Sequence, residues 1–137
     1  MKNWINKISK RLLWVAWLLP ATAVSAQTDS LSLLFVGDLM QHKRQIEVAS
    51  RPDGSFDYST CFRDVSSEIR KADLAIANWE VTLGGKPYTG YPAFSAPDEF
   101  LIAARKAGFD VFLTANNHCL DRRGKGLVRT LDKMDSL

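Results

Sequence analysis

Apolar residues recur along the chain in two patterns, one typical of strands and one typical of helices. Short, almost wholly apolar runs predict β-strands that are buried on both faces, as in a parallel sheet. These runs are LSLLFVGDLM (31–40), DLAIANWEV (73–81) and DVFLT (110–114). Other segments carry apolar residues at helical spacing with charged residues between them, which predicts amphipathic helices. These segments are residues 62–72, 100–108 and 126–137, the last through Leu127, Leu131 and Met134.

The middle helix has explicit start and stop signals. Ser95 and Pro97, followed by two acids, predict a helix start with the Ser95 hydroxyl as the capping oxygen, and Gly108 predicts its end. The preceding segment, LGGKPYTGYPAFSAP (83–97), is rich in Gly, Pro and aromatic residues, which predicts a long ordered loop. The order strand, helix, strand, loop, helix, strand, helix predicts an α/β fold with a mostly parallel sheet.

Residues 1–26 have a different composition from the rest of the chain. Four basic residues and no acidic residue precede an apolar run of 13 residues at 12–24. A membrane-spanning helix needs about 20 residues, so the alternative of a short membrane anchor is disfavoured. The small residues Val24, Ser25 and Ala26 suit signal peptidase. We therefore expect a signal peptide at 1–26, export, and a periplasmic or cell-envelope location.

The charge of the remaining chain excludes one class of partner. The predicted signal peptide holds four of the 18 Lys and Arg residues and none of the 15 Asp and Glu residues, so residues 27–137 carry a net charge near −1. Only Arg122, Arg123 and Lys125 cluster, so nucleic acid is not an expected partner. This part is long enough for one small domain. Cys61 and Cys119 could pair in an oxidising compartment, although two scattered cysteines do not form a disulfide framework.

Polar side chains follow the first two predicted strands where each strand ends. Asp38 follows Gly37 and is either a metal ligand or a turn-forming residue, and His42 is four residues further on, within reach of Asp38 if a helical turn starts there. Asn78 and Glu80 share one face of the second strand, and a carboxylate in an apolar strand is costly unless it is paired or metal-bound. Because ligands bind beyond the carboxyl ends of strands in open α/β sheets, these residues should converge.

The third strand is followed by the richest cluster, TANNHCLDRRGKG (114–126). The amides of Asn116 and Asn117 can bind a cation, and His118 can serve as a metal ligand or as a general acid near neutral pH. Asp121 can hold the His118 imidazole in one tautomer. The alternative is that the Asn and Asp residues only form a turn before a helix. Cys119 fits a small buried residue better than a nucleophile.

Mixed carboxylate, amide and imidazole ligands indicate zinc, manganese or iron and disfavour calcium. Two such ions bridged by a carboxylate activate water and clamp a phosphoryl group, and Glu80 is the natural bridge. The sequence therefore predicts a hydrolytic metal site at one rim of the sheet.

Together the motifs GDLMQH (37–42), NWEVTLGG (78–85) and NNHCLDRRGKG (116–126) resemble those of the bacterial capsule synthesis proteins. This is the CapA-like, poly-gamma-glutamate biosynthesis family, a branch of the calcineurin-like metallophosphoesterase superfamily. The resemblance implies that residues 27–137 are the N-terminal half of a four-layer α/β/β/α sandwich. It also implies a site with two divalent ions (Mn, Fe or Zn).

The resemblance implies a role for each residue of the site. By this resemblance, Asp38 corresponds to the aspartate of the superfamily's first motif, and Glu80 corresponds to the carboxylate that bridges the two metal ions. Asn117 is implied as a metal ligand, and His118 as the group that polarises phosphate or protonates the leaving group. Asp121 fits the family's continuation of this motif.

The sequence departs from the superfamily pattern at its histidines. The usual first motif is Asp-x-His, whereas here Asp38 is followed by His42, which is a candidate metal ligand at a different spacing. Further histidines are expected from the C-terminal half of the superfamily fold, yet His42 and His118 are the two present. We therefore expect a domain truncated at its C-terminus, which alone binds metal weakly and has little turnover.

Two functions follow as alternatives. The first is a capsule or poly-gamma-glutamate synthesis protein with metal-dependent hydrolysis in the complete protein, acting on a phosphoester or an anionic envelope polymer. The second is a non-catalytic polymer-binding or export accessory that works with the membrane capsule-synthesis machinery. Its binding surface would be the 84–97 loop with Lys86, Tyr88, Tyr91 and Phe94, and the alternative there is a packed structural loop.

Overall fold

The computed structural model describes residues 29–137, in which strands and helices mostly alternate along the chain. The elements are β1 (Leu33–Leu39), α1 (Lys43–Ala49), α2 (Ser66–Ile69), β2 (Leu74–Trp79), α3 (Asp98–Ala107), β3 (Val111–Leu113) and α4 (Arg123–Asp135). The predicted signal peptide at 1–26 lies outside the described residues. Within them, no helix is both long and apolar enough to cross a membrane.

The three strands form one parallel sheet in the order β1-β2-β3. Parallel strands need crossover connections, and helices α1, α2 and α3 lie in those connections. Helices and a parallel sheet confirm the predicted α/β class. All three strands end at the same edge of the sheet, so the segments that follow them start close together.

One face of the sheet carries the core. Ala75, Ala77 and Trp79 alternate along β2, are almost fully buried, and belong to one cluster with Phe100 and Leu101 of α3. The rings of Trp79 and Phe100 lie 5.2 Å apart. Alternation places one side of β2 against the helices, as the pleat of a strand requires.

The opposite face of the sheet is apolar and exposed. Leu33 and Phe35 of β1 are 48% and 66% exposed, and Leu113 of β3 is 50% exposed. Phe35 pairs with Ile76, which pairs with Val111, so this face continues across all three strands. The prediction that the strands are buried on both faces is therefore wrong for residues 29–137, because within them only one face is covered.

Two helix predictions differ from the structure. The helix predicted at 62–72 is helical only over Ser66–Ile69, with turns before and after it. Helix α1 was not expected, because only Ile46 and Ala49 of its seven residues are buried and the apolar pattern is weak. A short helix that buries two side chains leaves little periodicity to detect.

The two ends of α3 agree only in part with the start and stop residues predicted from the sequence. Gly108 terminates the helix with φ 117°, a left-handed conformation that glycine adopts without strain. Ser95 is not the cap, because Pro97 occupies that position and the Ser95 hydroxyl donates instead to the carbonyl of Gly85 at 2.8 Å.

Helix α4 matches its predicted apolar side only in part. Met134 packs against the core as predicted, whereas Leu131 is exposed and the fully buried residues are Gly126 and Thr130. Thr130 Oγ1 accepts the N–H of Leu83 at 2.8 Å and donates to the carbonyl of Gly126 at 2.8 Å. A close backbone approach and two hydrogen bonds thus replace the expected leucine contact. Cys61 and Cys119 are both free thiols.

Candidate active site

A β-bulge in β1 places Asp38 at the rim of the sheet. Between Phe35 and Asp38 the strand advances three residues while β2 advances two, from Ile76 to Asn78. The additional residue turns Asp38 to the side of Phe35 and Asn78, away from the core. With a regular register, Asp38 would pair with Trp79 and point toward the buried cluster.

Asn78 joins the two carboxylates of the site. Its Nδ2 donates to Asp38 Oδ1 at 2.8 Å and to Glu80 Oε2 at 2.7 Å. Burial and the neighbouring Asp38 raise the pKa of Glu80, and the His118 charge opposes the increase. The predicted common face of Asn78 and Glu80 is confirmed, and Asp38 and Glu80 share one environment.

Asn116 connects the third strand end to the second. Its Nδ2 donates to Asn78 Oδ1 at 3.1 Å and to the carbonyl of Trp79 at 2.9 Å, while its Oδ1 accepts the N–H of His118 at 3.0 Å. The side chain therefore both orients Asn78 and forms the turn that carries His118. The neighbouring Asn117 is exposed and makes no side-chain hydrogen bond to the described residues, so its predicted role as a metal ligand stays a prediction.

His118 and Asp121 form a hydrogen-bonded pair. His118 Nδ1 lies 2.9 Å from Asp121 Oδ2, and the two side chains are 15% and 13% exposed. Because a carboxylate accepts hydrogen bonds, this contact places a proton on Nδ1 and leaves Nε2 as the ring nitrogen available to a ligand or to a second proton. The same oxygen of Asp121 accepts the N–H of Phe94 at 2.7 Å. Asp121 thus fixes the imidazole and anchors the 84–97 loop.

Phe94 lies between the two histidines and was not predicted to support them. Its ring packs edge-to-face with His118 at 4.7 Å and with His42 at 5.2 Å. Phe94 is 1% exposed, so it is unavailable to the polymer-binding surface expected of the loop. An aromatic residue in a Gly- and Pro-rich loop gives no indication in sequence of whether it is buried.

His42 is not on a helical turn with Asp38, so the spacing argument for that pair is wrong. Asp38 lies in β1, and His42 caps α1, where its N–H donates to Gln45 Oε1. Among residues 29–137, His42 makes no hydrogen bond or ion pair with Asp38 or Glu80. Its role as a metal ligand stays a prediction.

The 84–97 loop is fixed against the helices on both sides. A Cβ at Gly90 would lie 2.6 Å from the backbone nitrogen of Lys43, so the loop meets the start of α1 where only glycine fits. Arg122 donates from Nη2 to the carbonyl of Pro87 at 2.5 Å and to Thr89 Oγ1 at 2.9 Å. The loop is therefore ordered, as predicted.

The predicted substrate-binding residues of the loop occupy different positions. Lys86 and Tyr88 line a groove of about 570 Å³ that also includes Lys43 and Phe56. Tyr91 is 76% exposed and is not among the groove residues. The groove presents Lys43, Lys86 and one acid, Glu47, which lies 4.0 Å from the Lys43 ammonium, beside aromatic side chains. Its lining is net positive through Lys86, which suits a ligand that carries negative charge.

The donor set fits part of a metal site. Asp38 and Glu80 supply carboxylate oxygens and His118 an imidazole, ligand types that suit a divalent transition ion. Among the residues that the structure describes, however, no three His, Cys, Asp or Glu side chains are grouped closely enough to hold one ion. Further ligands would have to be amide oxygens, water or residues outside this range.

Comparisons with known proteins bear on the same residues. A family model described as "Bacterial capsule synthesis protein PGA_cap" matches residues 32–137. The chain is 27% identical over 130 residues to "Capsule biosynthesis protein CapA" of Bacillus anthracis, which covers 88% of this chain and 31% of that protein. The chain thus spans about a third of the length of this curated relative. The family match includes β1 to α4, and with them every residue of the strand-end cluster.

Proposed function

The chain belongs to the bacterial capsule synthesis protein family, and we propose that its strand-end residues form part of a metallophosphoesterase-like site in the complete protein. The observation that carries this proposal is the Asn78 amide, which donates to both Asp38 and Glu80. Two carboxylates held beside one another favour a cation or a proton between them. The His118–Asp121 pair lies close enough to influence these carboxylates, since the charge of His118 opposes the increase in the pKa of Glu80.

Each residue has a distinct role in this proposal. Asp38 and Glu80 would hold divalent cations (Mn, Fe or Zn), with Asn117 as a further ligand and His42 as a candidate at its unusual spacing. Such an ion, when bound, polarises a phosphoryl oxygen and lowers the pKa of bound water. His118 would give a proton from Nε2 to the leaving oxygen, and Asp121 would stabilise the imidazolium. Asn116 keeps Asn78 and His118 in place.

The exposed apolar face supports a four-layer sandwich in the complete protein. Phe35 and Leu113 would be covered by a second sheet, because sheets pack face to face through apolar side chains. Proteins seldom expose a contiguous apolar face of this kind without a partner.

The proposed setting is the cell envelope. A signal peptide at 1–26 would export the protein to the periplasm or cell surface, where a phosphoester or an anionic envelope polymer is the substrate. In the same proposal, the protein works beside the membrane capsule-synthesis machinery.

Two substitutions in the complete protein test the catalytic role. His118→Asn should lower metal-dependent phosphoester hydrolysis about 10²- to 10⁴-fold, the usual range for loss of a general acid or base. Glu80→Gln should lower both turnover and the metal content measured by mass spectrometry. Glu68→Gln is the matched control, since Glu68 is exposed on α2 and, within residues 29–137, forms an ion pair with Lys71 alone. Unchanged turnover and metal content in both site variants would refute the hydrolytic proposal.

A non-catalytic polymer-binding function is the second candidate, and the groove with Lys43 and Lys86 favours it. In this case Lys86→Ala should weaken binding of an anionic envelope polymer, while His118→Asn leaves binding and cellular function intact. Loss of function in His118→Asn without loss of polymer binding would contradict this alternative.

A further inference from the structure

A cavity of about 400 Å³ lies between α3 and the segment that contains α2. Its wall includes none of the strand-end residues, so it is separate from the site described above. The wall is mainly apolar, with Phe62 and Ile102 among its side chains. Its volume falls within the range of about 300–1,000 Å³ that is usual for small-molecule pockets, which combine an apolar wall with a few polar groups.

Helix α3 turns one face toward this cavity, and that face has opposite charges at its two ends. The lining residues of the helix follow the three- and four-residue spacing of one helical face, and they include Glu99, Ile102, Ala103 and Lys106. Glu99 and Lys106 are seven residues apart, and a helix advances 1.5 Å per residue, so about 10 Å separates them along the axis. The wall therefore has an acid at one end, a cation at the other and apolar side chains between them.

The opposite wall makes the Lys106 end more basic. Arg70 donates from Nη2 to the backbone carbonyl of Lys106, so its guanidinium lies at the C-terminal end of α3. Arg63 is a third cation of the wall. Asp57, the second acid of the wall, forms an ion pair with Arg51 and so contributes little charge to the cavity.

Acids in the first turn and bases in the last turn also stabilise a helix by themselves, because they complement its dipole. The pairing of the four terminal charges of α3 separates this explanation from a binding role. Asp98 and Arg105 do not line the cavity, and each is in an ion pair. Within residues 29–137, Glu99 and Lys106 form no ion pair and no side-chain hydrogen bond. The two charges that line the cavity are thus the two that are available to a ligand.

We propose that this cavity binds a small zwitterion, an amino-carboxylate whose ammonium group pairs with Glu99 and whose carboxylate pairs with Lys106 and Arg70. Charges about 10 Å apart on an apolar stem match the wall at both ends and along Ile102. A ligand with a single charge satisfies only one end. Because the cavity is separate from the strand-end residues, this inference goes beyond the proposed function and does not depend on it.

A series of simple ligands tests the match in the complete protein. When extended, 8-aminooctanoate holds its ammonium and carboxylate groups roughly 10 Å apart, and 4-aminobutyrate holds them roughly 5 Å apart. Octanoate and octylamine keep the apolar stem, and each lacks one of the two charges. In isothermal titration calorimetry, 8-aminooctanoate should bind at least about threefold more tightly than each of the other three, as expected for one additional charged contact at a partly exposed site.

Substitutions and one methyl signal locate the bound ligand. Glu99→Gln should weaken 8-aminooctanoate about three- to tenfold and leave octanoate unchanged, whereas Lys106→Gln should weaken both. Glu68→Gln is the matched control, since Glu68 is an exposed acid that does not line the cavity. The ¹³C methyl signal of Ala103, which lines the cavity, should shift saturably, and that of Ala115, which follows β3, should not.

Three outcomes would overturn this inference. Octanoate or octylamine binds as tightly as 8-aminooctanoate, which would reduce the cavity to an apolar contact. Alternatively, 4-aminobutyrate binds equally well, or no probe shifts the Ala103 signal. The ligand series uses the wild-type protein, so it decides the question even where a variant does not fold. It needs neither metal nor turnover, and failure of the hydrolytic proposal would therefore leave its result unchanged.

Discussion

At the scale of single residues, the site depends on side chains that each make more than one hydrogen bond. Asn78 donates to two carboxylates, Asn116 donates and accepts, and one oxygen of Asp121 accepts from both His118 and Phe94. Removal of one such group leaves several partners without a hydrogen bond. Single substitutions here should therefore have larger effects than a count of lost bonds suggests.

Asp121→Asn provides a test at this scale. The amide oxygen of Asn can still accept from His118 and Phe94, but the negative charge that strengthens both hydrogen bonds and favours the proton on Nδ1 is lost. We expect a loss of about 1–3 kcal/mol in the free energy of unfolding, in line with a hydrogen bond to a charged group. We also expect a mixture of His118 tautomers, which ¹⁵N chemical shifts of the imidazole would report. Asp132→Asn, at an exposed position of α4, should change neither quantity.

The sequence indicates some of these residues and not others, for physical reasons. Asp38, Glu80 and His118 follow from the rule that strand ends converge. Which of Asn116 and Asn117 turns inward depends on the geometry of one turn, and adjacent identical residues carry no signal for it.

At the scale of elements, α4 is held by close approach and by ion pairs. A Cβ at Gly126 would lie 2.3 Å from the Arg122 Cβ, whereas a Cβ at Gly124 would meet nothing within 4 Å. Asp98 of α3 pairs with Arg129 through two hydrogen bonds of 2.8 and 2.9 Å and with Lys133 at 3.0 Å. The Asp98 pairs position the helix that follows His118, and Gly126 leaves room for the Arg122 side chain at its start.

Gly126→Ala and Gly124→Ala form a matched pair on this helix. Gly126→Ala should lower the free energy of unfolding by about 1–3 kcal/mol, the usual cost of overpacking. Gly124→Ala should be neutral or stabilise the protein by up to about 1 kcal/mol, because alanine favours helix. Chemical denaturation of both variants would measure the difference. Equal stability of the two would show that Gly126 does not pack against Arg122.

Asp98 makes the contact between α3 and α4 dependent on pH. Burial alone would raise the pKa of Asp98, but hydrogen bonds from Arg129 and Lys133 hold it below the ordinary value. A lowered pKa gives stability that is present above the unfolded value of about 3.9 and is lost as pH falls through the folded pKa.

Asp98→Asn should therefore destabilise the protein at pH 7, and its difference from the wild type should shrink as pH falls below about 4. Thermal unfolding between pH 7 and pH 2 would follow this difference. Asp64→Asn is the control, since Asp64 is exposed and makes no ion pair with the described residues. A difference that stays constant with pH would contradict the assignment.

At the scale of the whole molecule, the order of strands and helices follows from sequence, but the surroundings of the sheet do not. Apolar runs such as 31–40 correctly predict strands, and their continuous apolar character predicts cover on both faces. Within residues 29–137 only the face with Ala75 and Trp79 is covered. The pattern of apolar residues indicates which surfaces need burial, but it does not indicate which segment of the protein packs against them.

Thiol labelling would test the proposed second sheet. In a chain with Cys61→Ser and Cys119→Ser, Phe35→Cys should react quickly in the 137-residue chain and at least about tenfold more slowly in the complete protein, where burial protects it. Val48→Cys, at a 71% exposed position on α1, should react at similar rates in both. Equal labelling of Phe35→Cys in both forms would show that no further sheet covers this face.

The bulge between Phe35 and Asp38 also limits how the chain can vary. Because side chains alternate along a strand, inserting one more residue between Phe35 and Asp38 would move Asp38 from the rim to the core side of the sheet. Deleting the extra residue of the bulge would instead leave a regular ladder in which Asp38 still pairs with Asn78. This part of β1 should therefore tolerate the loss of one residue more readily than the gain of one.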